Sequence, residues 1–161
     1  MSPENVEEIE TLSIQGNQTD DRIAYLLYSG TVGGYDTNLM YVFLDNELVS
    51  AVYQFSDVYT SSGRYLSRYE SIKNILEQKY GTPENDREIW NNESAKQYTD
   101  LPTAFSLGYV QLAADFTGYK TYVQTSTKSN LGSAQHLVVY FSTDHKMKYE
   151  NYQTSLNQAD F

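Results

Sequence analysis

Leu39-Met40-Tyr41-Val42-Phe43-Leu44-Asp45-Asn46-Glu47-Leu48-Val49-Ser50-Ala51-Val52-Tyr53-Gln54-Phe55 is the stretch that decides the fold. Two runs rich in β-branched and aromatic side chains, 39–44 and 48–55, flank a polar Asp45-Asn46-Glu47 connection of hairpin length. Such side chains suit a pleated, half-buried surface, and each run is too short for a buried helix, so the stretch predicts two antiparallel strands. Upstream, residues 23–28 form a third dense apolar run, ended by Gly30-Thr31-Val32-Gly33-Gly34. It reads as a strand for the same reason, and the three together make an antiparallel meander.

On either side of the meander the period changes. Tyr65, Tyr69, Ile72, Leu76 and Tyr80 recur at spacings of four, three, four and four, with Arg68, Glu70, Lys73, Asn74 and Glu77 between them. That is the pattern of an amphipathic helix, placed at about residues 63–80, with Ser61 or Ser62 as its cap and Gly81 and Pro83 as its stop. At the other end, Ser2-Pro3-Glu4 reads as a cap, a first helical residue and a carboxylate at the positive end of a helix dipole; Val6 and Ile9 then share a face.

Further along, the residues from 91 to 102 read as a polar loop after a short Ile89-Trp90 patch. Residues 103–114 fit a helix or a strand, with Asp100 able to cap a helix entered through Pro102, and the helix reading is adopted. Residues 119–127 alternate in strand fashion, 137–141 form another strand-like run, and 128–135 connect them as a long hairpin. Residues 146–161 carry few aliphatic anchors and form either a weakly docked helix or a tail, with a helix expected. The fold class expected is α+β: an antiparallel sheet with helices packed on one face. The order suggests two diverged α-βββ units within one domain spanning 1–161, with subunits 1–60 and 61–145 and a C-terminal segment 146–161.

Composition restricts function more than it assigns it. With 11 Lys+Arg against 21 Asp+Glu the formal charge is −10, which repels phosphate backbones and anionic lipid, so no nucleic-acid partner is expected. No apolar run reaches the roughly 18 residues needed to cross a bilayer as a helix. The chain has no cysteine, which excludes disulfides and thiolate chemistry. Its two histidines, His136 and His145, stand nine positions apart with no His-Glu-x-x-His or calcium-loop pattern; His136 reads as a strand-edge residue and His145 as a turn residue, and no metal or cofactor is expected. There is no G-x-S-x-G elbow and no phosphate-binding glycine loop. The close acidic pairs, Glu84 with Asp86 and Glu7 with Glu10, are more simply solvated loops and helix faces. No catalytic residue and no enzyme activity are expected.

Sixteen tyrosines are the strongest compositional anomaly. A tyrosine ring packs while its hydroxyl stays wet, so the residue serves a core and a recognition surface alike. Packing is the simpler explanation for most of them. Tyr35, Tyr59, Tyr98, Tyr109 and Tyr119 are the candidate contacts for a partner, on a sheet face or in loops at 29–38 and 91–104.

Three segments, Ser2-Pro3-Glu4-Asn5-Val6, Tyr41-Val42-Phe43-Leu44-Asp45-Asn46-Glu47-Leu48 and Lys79-Tyr80-Gly81-Thr82-Pro83, together resemble small bacterial extracytoplasmic domains. These include outer-membrane assembly lipoproteins and the α-βββ modules of β-lactamase-inhibitor-type proteins. The resemblance covers about residues 2–90 and carries over no functional residue; this chain departs from it in having no cysteine for lipid attachment or disulfides. It implies a helix-plus-sheet module at the cell envelope, its leader removed, that contacts another macromolecule. The expectation is therefore a non-enzymatic bacterial envelope or secreted domain binding a protein or peptide. The alternative is an intracellular acidic inhibitor that mimics nucleic acid, which requires Glu4, Glu7, Glu8, Asp20, Asp21, Glu84, Asp86 and Glu88 to form one strip.

Overall fold

The computed structural model describes residues 1–20, 22–130 and 133–159. Helix α1 (Pro3–Ile9) leads into a meander of β1 (Ser13–Asp20), β2 (Ile23–Val32), β3 (Tyr35–Leu44) and β4 (Glu47–Phe55). The chain then repeats the plan: α2 (Ser62–Tyr80) leads into β5 (Asn85–Trp90), then a 3₁₀ turn (Glu93–Gln97) and α3 (Leu101–Ser106), then β6 (Val110–Gly118), β7 (Thr121–Asn130) and β8 (Ser133–Ser142). Helix α4 (Thr143–Ala159) closes the described chain. All eight strands form one antiparallel sheet of order β1-β2-β3-β4-β8-β7-β6-β5, so the protein has an α+β fold. The two halves are α-ββββ units, one strand longer than expected, joined where β4 pairs with β8.

Two-residue turns set the register of the first meander. Gly33 and Gly34 have φ of 62° and 83°, and Asp45 and Asn46 have φ of 51° and 64°. Positive φ at both central positions gives the turn whose twist matches that of paired strands, and glycine, aspartate and asparagine tolerate it best. The strands on both sides consequently pair up to the turn itself, Val32 with Tyr35 and Leu44 with Glu47. Residues 29–38 are thus paired strand around a tight turn, where a loop was expected. The β7–β8 hairpin is likewise extended, through Asn130 and Ser133, so most of the expected 128–135 connection is strand; Leu131 and Gly132 lie outside the described residues.

Helices α1 and α2 cover one face. Val6 of α1 sits 2% exposed on Leu26, Tyr28, Leu39 and Phe43, whereas Ile9, expected beside it, is 64% exposed. The helix ends there, and Glu10 turns to the sheet instead: its Oε2 accepts from Tyr41 Oη at 2.6 Å. Burial opposes ionisation of Glu10, but that bond and the N–H groups of Leu12 and Thr11 hold its carboxyl below the usual range. Tyr65, Tyr69, Ile72 and Leu76 of α2 are buried, as their spacing predicts. Ile72 and Leu76 pack with Phe55, Phe116, Val123 and Val138. Ile72→Ala or Leu76→Ala should each cost about 2 to 5 kcal/mol in chemical denaturation, and unchanged unfolding curves for both would refute this packing.

The ambiguous segment divides. Asp100 caps α3, accepting from Thr103 N at 2.8 Å, but the helix ends at Ser106 and residues 110–114 are strand. Gly108, at φ 73°, makes the break. His136 is not at a strand edge as expected: it is 0% exposed in β8, one of the two central strands. His145 lies in the first turn of α4, where a turn residue was expected. Helix α4 crosses to the other side of the sheet. Its Tyr149 packs on Ile23, Val42, Leu44 and Val49, which alternate with the side chains beneath α1. Among the described residues no helix is long and apolar enough to cross a membrane.

Candidate functional site: the uncovered sheet face

Residues directly opposite one another on antiparallel strands point to the same face. One such row crosses the whole sheet on the α4 side: Gly16, Leu27, Met40, Val52, Val139, Gln124, Asp115 and Asn85, in the order β1 to β5. Met40 and Tyr149 of α4 both pack against the Ile23–Val42–Leu44–Val49 cluster, but Leu27 remains 41% exposed, and Val52 and Val139 are half-buried. The next row is polar through Ser29, Asn38 and Gln54 and continues with Leu137. Leu27, Met40 and Val52, flanked by Gln15, Asn38 and Gln54, line a shallow hollow of about 270 Å³. The hollow itself presents aliphatic carbon and uncharged amide groups, with Asp36 and Asp20 farther out on the same face.

The other half of the row is a closed polar network. Asp115, 3% exposed, accepts from Arg87 Nη2 at 2.6 Å, Gln124 Nε2 at 2.8 Å and Asn85 Nδ2 at 3.3 Å. Burial, then a hydrogen bond to Asp115, raises the Tyr122 hydroxyl above its ordinary range. A carboxylate so fully engaged holds β5, β6 and β7 in register on the exposed side.

One member of each acidic pair is engaged as well, Glu10 by Tyr41 and Asp86 by Lys73. Asp86 accepts from Lys73 Nζ at 2.9 Å, and Glu70 lies 3.1 Å from the same ammonium. The acids that a nucleic-acid mimic would align stand on α1 over β2 and β3, on β1 at one edge, and on or beside β5 at the other edge. Seven strand spacings, on the order of 30 Å, separate those edges, and no single strip joins the groups; Asp21 lies outside the described residues.

The five tyrosine candidates do not share a surface. Tyr35 packs edge-on against Phe55, Tyr59 against Tyr65, and Tyr109 beside the Tyr65–Phe105 cluster. Tyr98 and Tyr119 are exposed, at 84% and 91%, but they stand at opposite ends of β6, roughly 25 Å apart. Sequence reasoning missed the aliphatic row because its members come from four strands and meet only through register. The available signal was alternation within strands: Leu27, Met40 and Val52 stand out of phase with the buried Leu26, Leu39 and Phe55.

No protein-family model matches the chain, and no curated protein or solved structure gives a significant match.

Proposed function

We propose that this chain is a non-catalytic binding domain of a bacterial envelope or secreted protein, and that it grips a protein or peptide partner with the uncovered half of its sheet. The observation that carries the reading is the in-register row of Leu27, Met40, Val52 and Val139, aliphatic and only partly covered on a rigid sheet. An apolar strip rimmed by amides is the composition of an interface core and rim, and an uncharged patch on an acidic protein removes the repulsion that a partner otherwise meets. The extracytoplasmic placement rests on the resemblance of residues 2–90.

A photo-crosslinking residue placed at Met40 should give discrete protein adducts in cells, and one placed at Ile75 of α2, 49% exposed on the opposite side, should not. Adducts from both positions, or from neither, would overturn the reading. The triple substitution Leu27→Gln, Met40→Gln, Val52→Gln should abolish the adducts of a crosslinker at Val139 while shifting Tm by only a few degrees.

A further inference from the structure

The two edges of the sheet are unlike. β5 reads Asn-Asp-Arg-Glu-Ile-Trp, with charges at Asp86, Arg87 and Glu88, and two of these are tied to Lys73 and Asp115. Charged side chains on an edge strand are a common guard against pairing with another chain. β1 reads Ser-Ile-Gln-Gly-Asn-Gln-Thr-Asp, with one charge, at its last residue, and no lysine or proline. Seven of its eight residues are exposed, and its outer side pairs with no described strand. After a bulge between Ile14 and Gly16, residues 16–20 pair regularly with β2 and present an even outer edge.

Gly16 begins the aliphatic row, next to the exposed Leu27, and a Cβ built on it meets nothing within 4 Å. An edge glycine leaves a gap that a large side chain on an adjoining strand can span, a pairing known to stabilise sheets. On the other face, Ile14 of β1 lies opposite Tyr28, whose hydroxyl is raised first by burial and then by the charges of Glu7 and Glu10. Val6 of α1 packs on Tyr28, so the neighbouring Glu7 lies over β2, the strand next to this edge. No basic residue precedes Arg22, which is bound to Asp45 by two contacts of 2.7 Å.

We propose that β1 is the docking edge for an extended, basic segment of the partner, which adds as a ninth strand. An aromatic or large aliphatic side chain of that segment lies over Gly16 against Leu27, and alternate Lys or Arg side chains face the α1 side, toward Glu7. The inference rests on the partner-binding reading of the sheet and names the partner's chemistry: backbone hydrogen bonds supply the affinity, and alternate side chains supply the selectivity.

The probe is a synthetic peptide of alternating lysine and valine with one central phenylalanine, titrated against the full chain by fluorescence anisotropy at low salt. It should bind at least about tenfold more tightly than its glutamate-for-lysine counterpart, and methylating alternate backbone amides should abolish binding. Gly16→Val has room to fold unchanged and should weaken the phenylalanine peptide about tenfold by occupying its place. Adjacent residues of an antiparallel strand turn their N–H groups to opposite sides, so one of Asn17→Pro and Gln18→Pro preserves Tm. That variant should lose the peptide. Binding that survives amide methylation, Gly16→Val and the fold-neutral proline overturns the edge proposal; if the triple glutamine substitution still abolishes adducts, the sheet-face reading stands without it. A chain that sediments as a dimer dissociated by the same proline would show that the occupant is a second copy, which also overturns the proposal.

Discussion

Lowering the pH from 7 to 5 should destabilise the fold by about 2 kcal/mol through one side chain, His136. Its ring is 0% exposed between Phe55 and Tyr69, at centroid distances of 4.8 and 5.6 Å, and Nε2 lies 3.0 Å from Thr125 Oγ1. Nδ1 has no hydrogen-bond partner among the described residues. Burial, and secondarily the nearby Arg68 charge, lower its pKa from 6.5 to about 3. The folded state therefore holds this histidine neutral while the unfolded chain protonates it near pH 6.5. Its contribution is fully present above that value and is lost as the pH falls toward 3, at about 1.4 kcal/mol per pH unit. Carboxylates with lowered pKa, Asp45 and Glu10 among them, act in the same direction but mainly below pH 4.5. The interval between pH 7 and 5 isolates the histidine. Thermal unfolding should shift by about 4 to 8 °C over it, and the Thr125→Val/His136→Leu double variant should remove the shift. An equal shift in that variant would refute the assignment.

Asp57→Ala should cost about 2 to 4 kcal/mol, whereas Arg68→Met should leave stability near that of the parent or raise it. Arg68 is 1% exposed, and its guanidinium carbon lies 5.3–5.6 Å from the ring centroids of Tyr59, Tyr65 and Phe55. Its Nη1 donates to the Asp57 carbonyl at 3.3 Å and lies 3.5 Å from Asp57 Oδ2, while Nε and Nη2 have no acceptor among the described residues. The aromatic faces and one long ion pair offset the desolvation of this cation only in part. Removing Asp57 strands the charge; removing Arg68 frees a carboxylate that water already reaches, at 21% exposure. The Arg68→Met/Asp57→Ala double variant should therefore recover most of the loss, and equal losses in the single Asp57 variant and the double would show that the pair is not coupled.

The buried positions of α2 and the strands at 23–28, 39–44 and 48–55 were legible in the sequence because their period is local: each element declares its apolar face through its own spacing. Edge strands declare nothing of the kind. β1 has solvent on both faces, so Ser13–Asp20 shows no alternation of apolar and polar residues, and β5 is disguised by three consecutive charges. Both are strands because a neighbour supplies the hydrogen-bonding partners, a condition outside the segment itself. Residues 110–114 were hidden for the opposite reason: Val110, Leu112, Ala113 and Ala114 are all buried, and with both faces of the strand covered the run shows no clear period of two.

The sequence by itself determined the α+β class, the amphipathic face of α2, the cap of α1, and the formal charge of −10. Those properties belong to one residue or to neighbours along the chain. Tertiary structure alone decided which β-rich runs share a register, that α4 lies on the face opposite α1 and α2, and that Gly16, Leu27, Met40, Val52 and Val139 line up across five strands. It also decided that His136 and Arg68, from separate elements, both pack against Phe55 in the core. The reason is that a strand's side chains acquire neighbours only through pairing, and a shift of one residue turns every one of them to the other face.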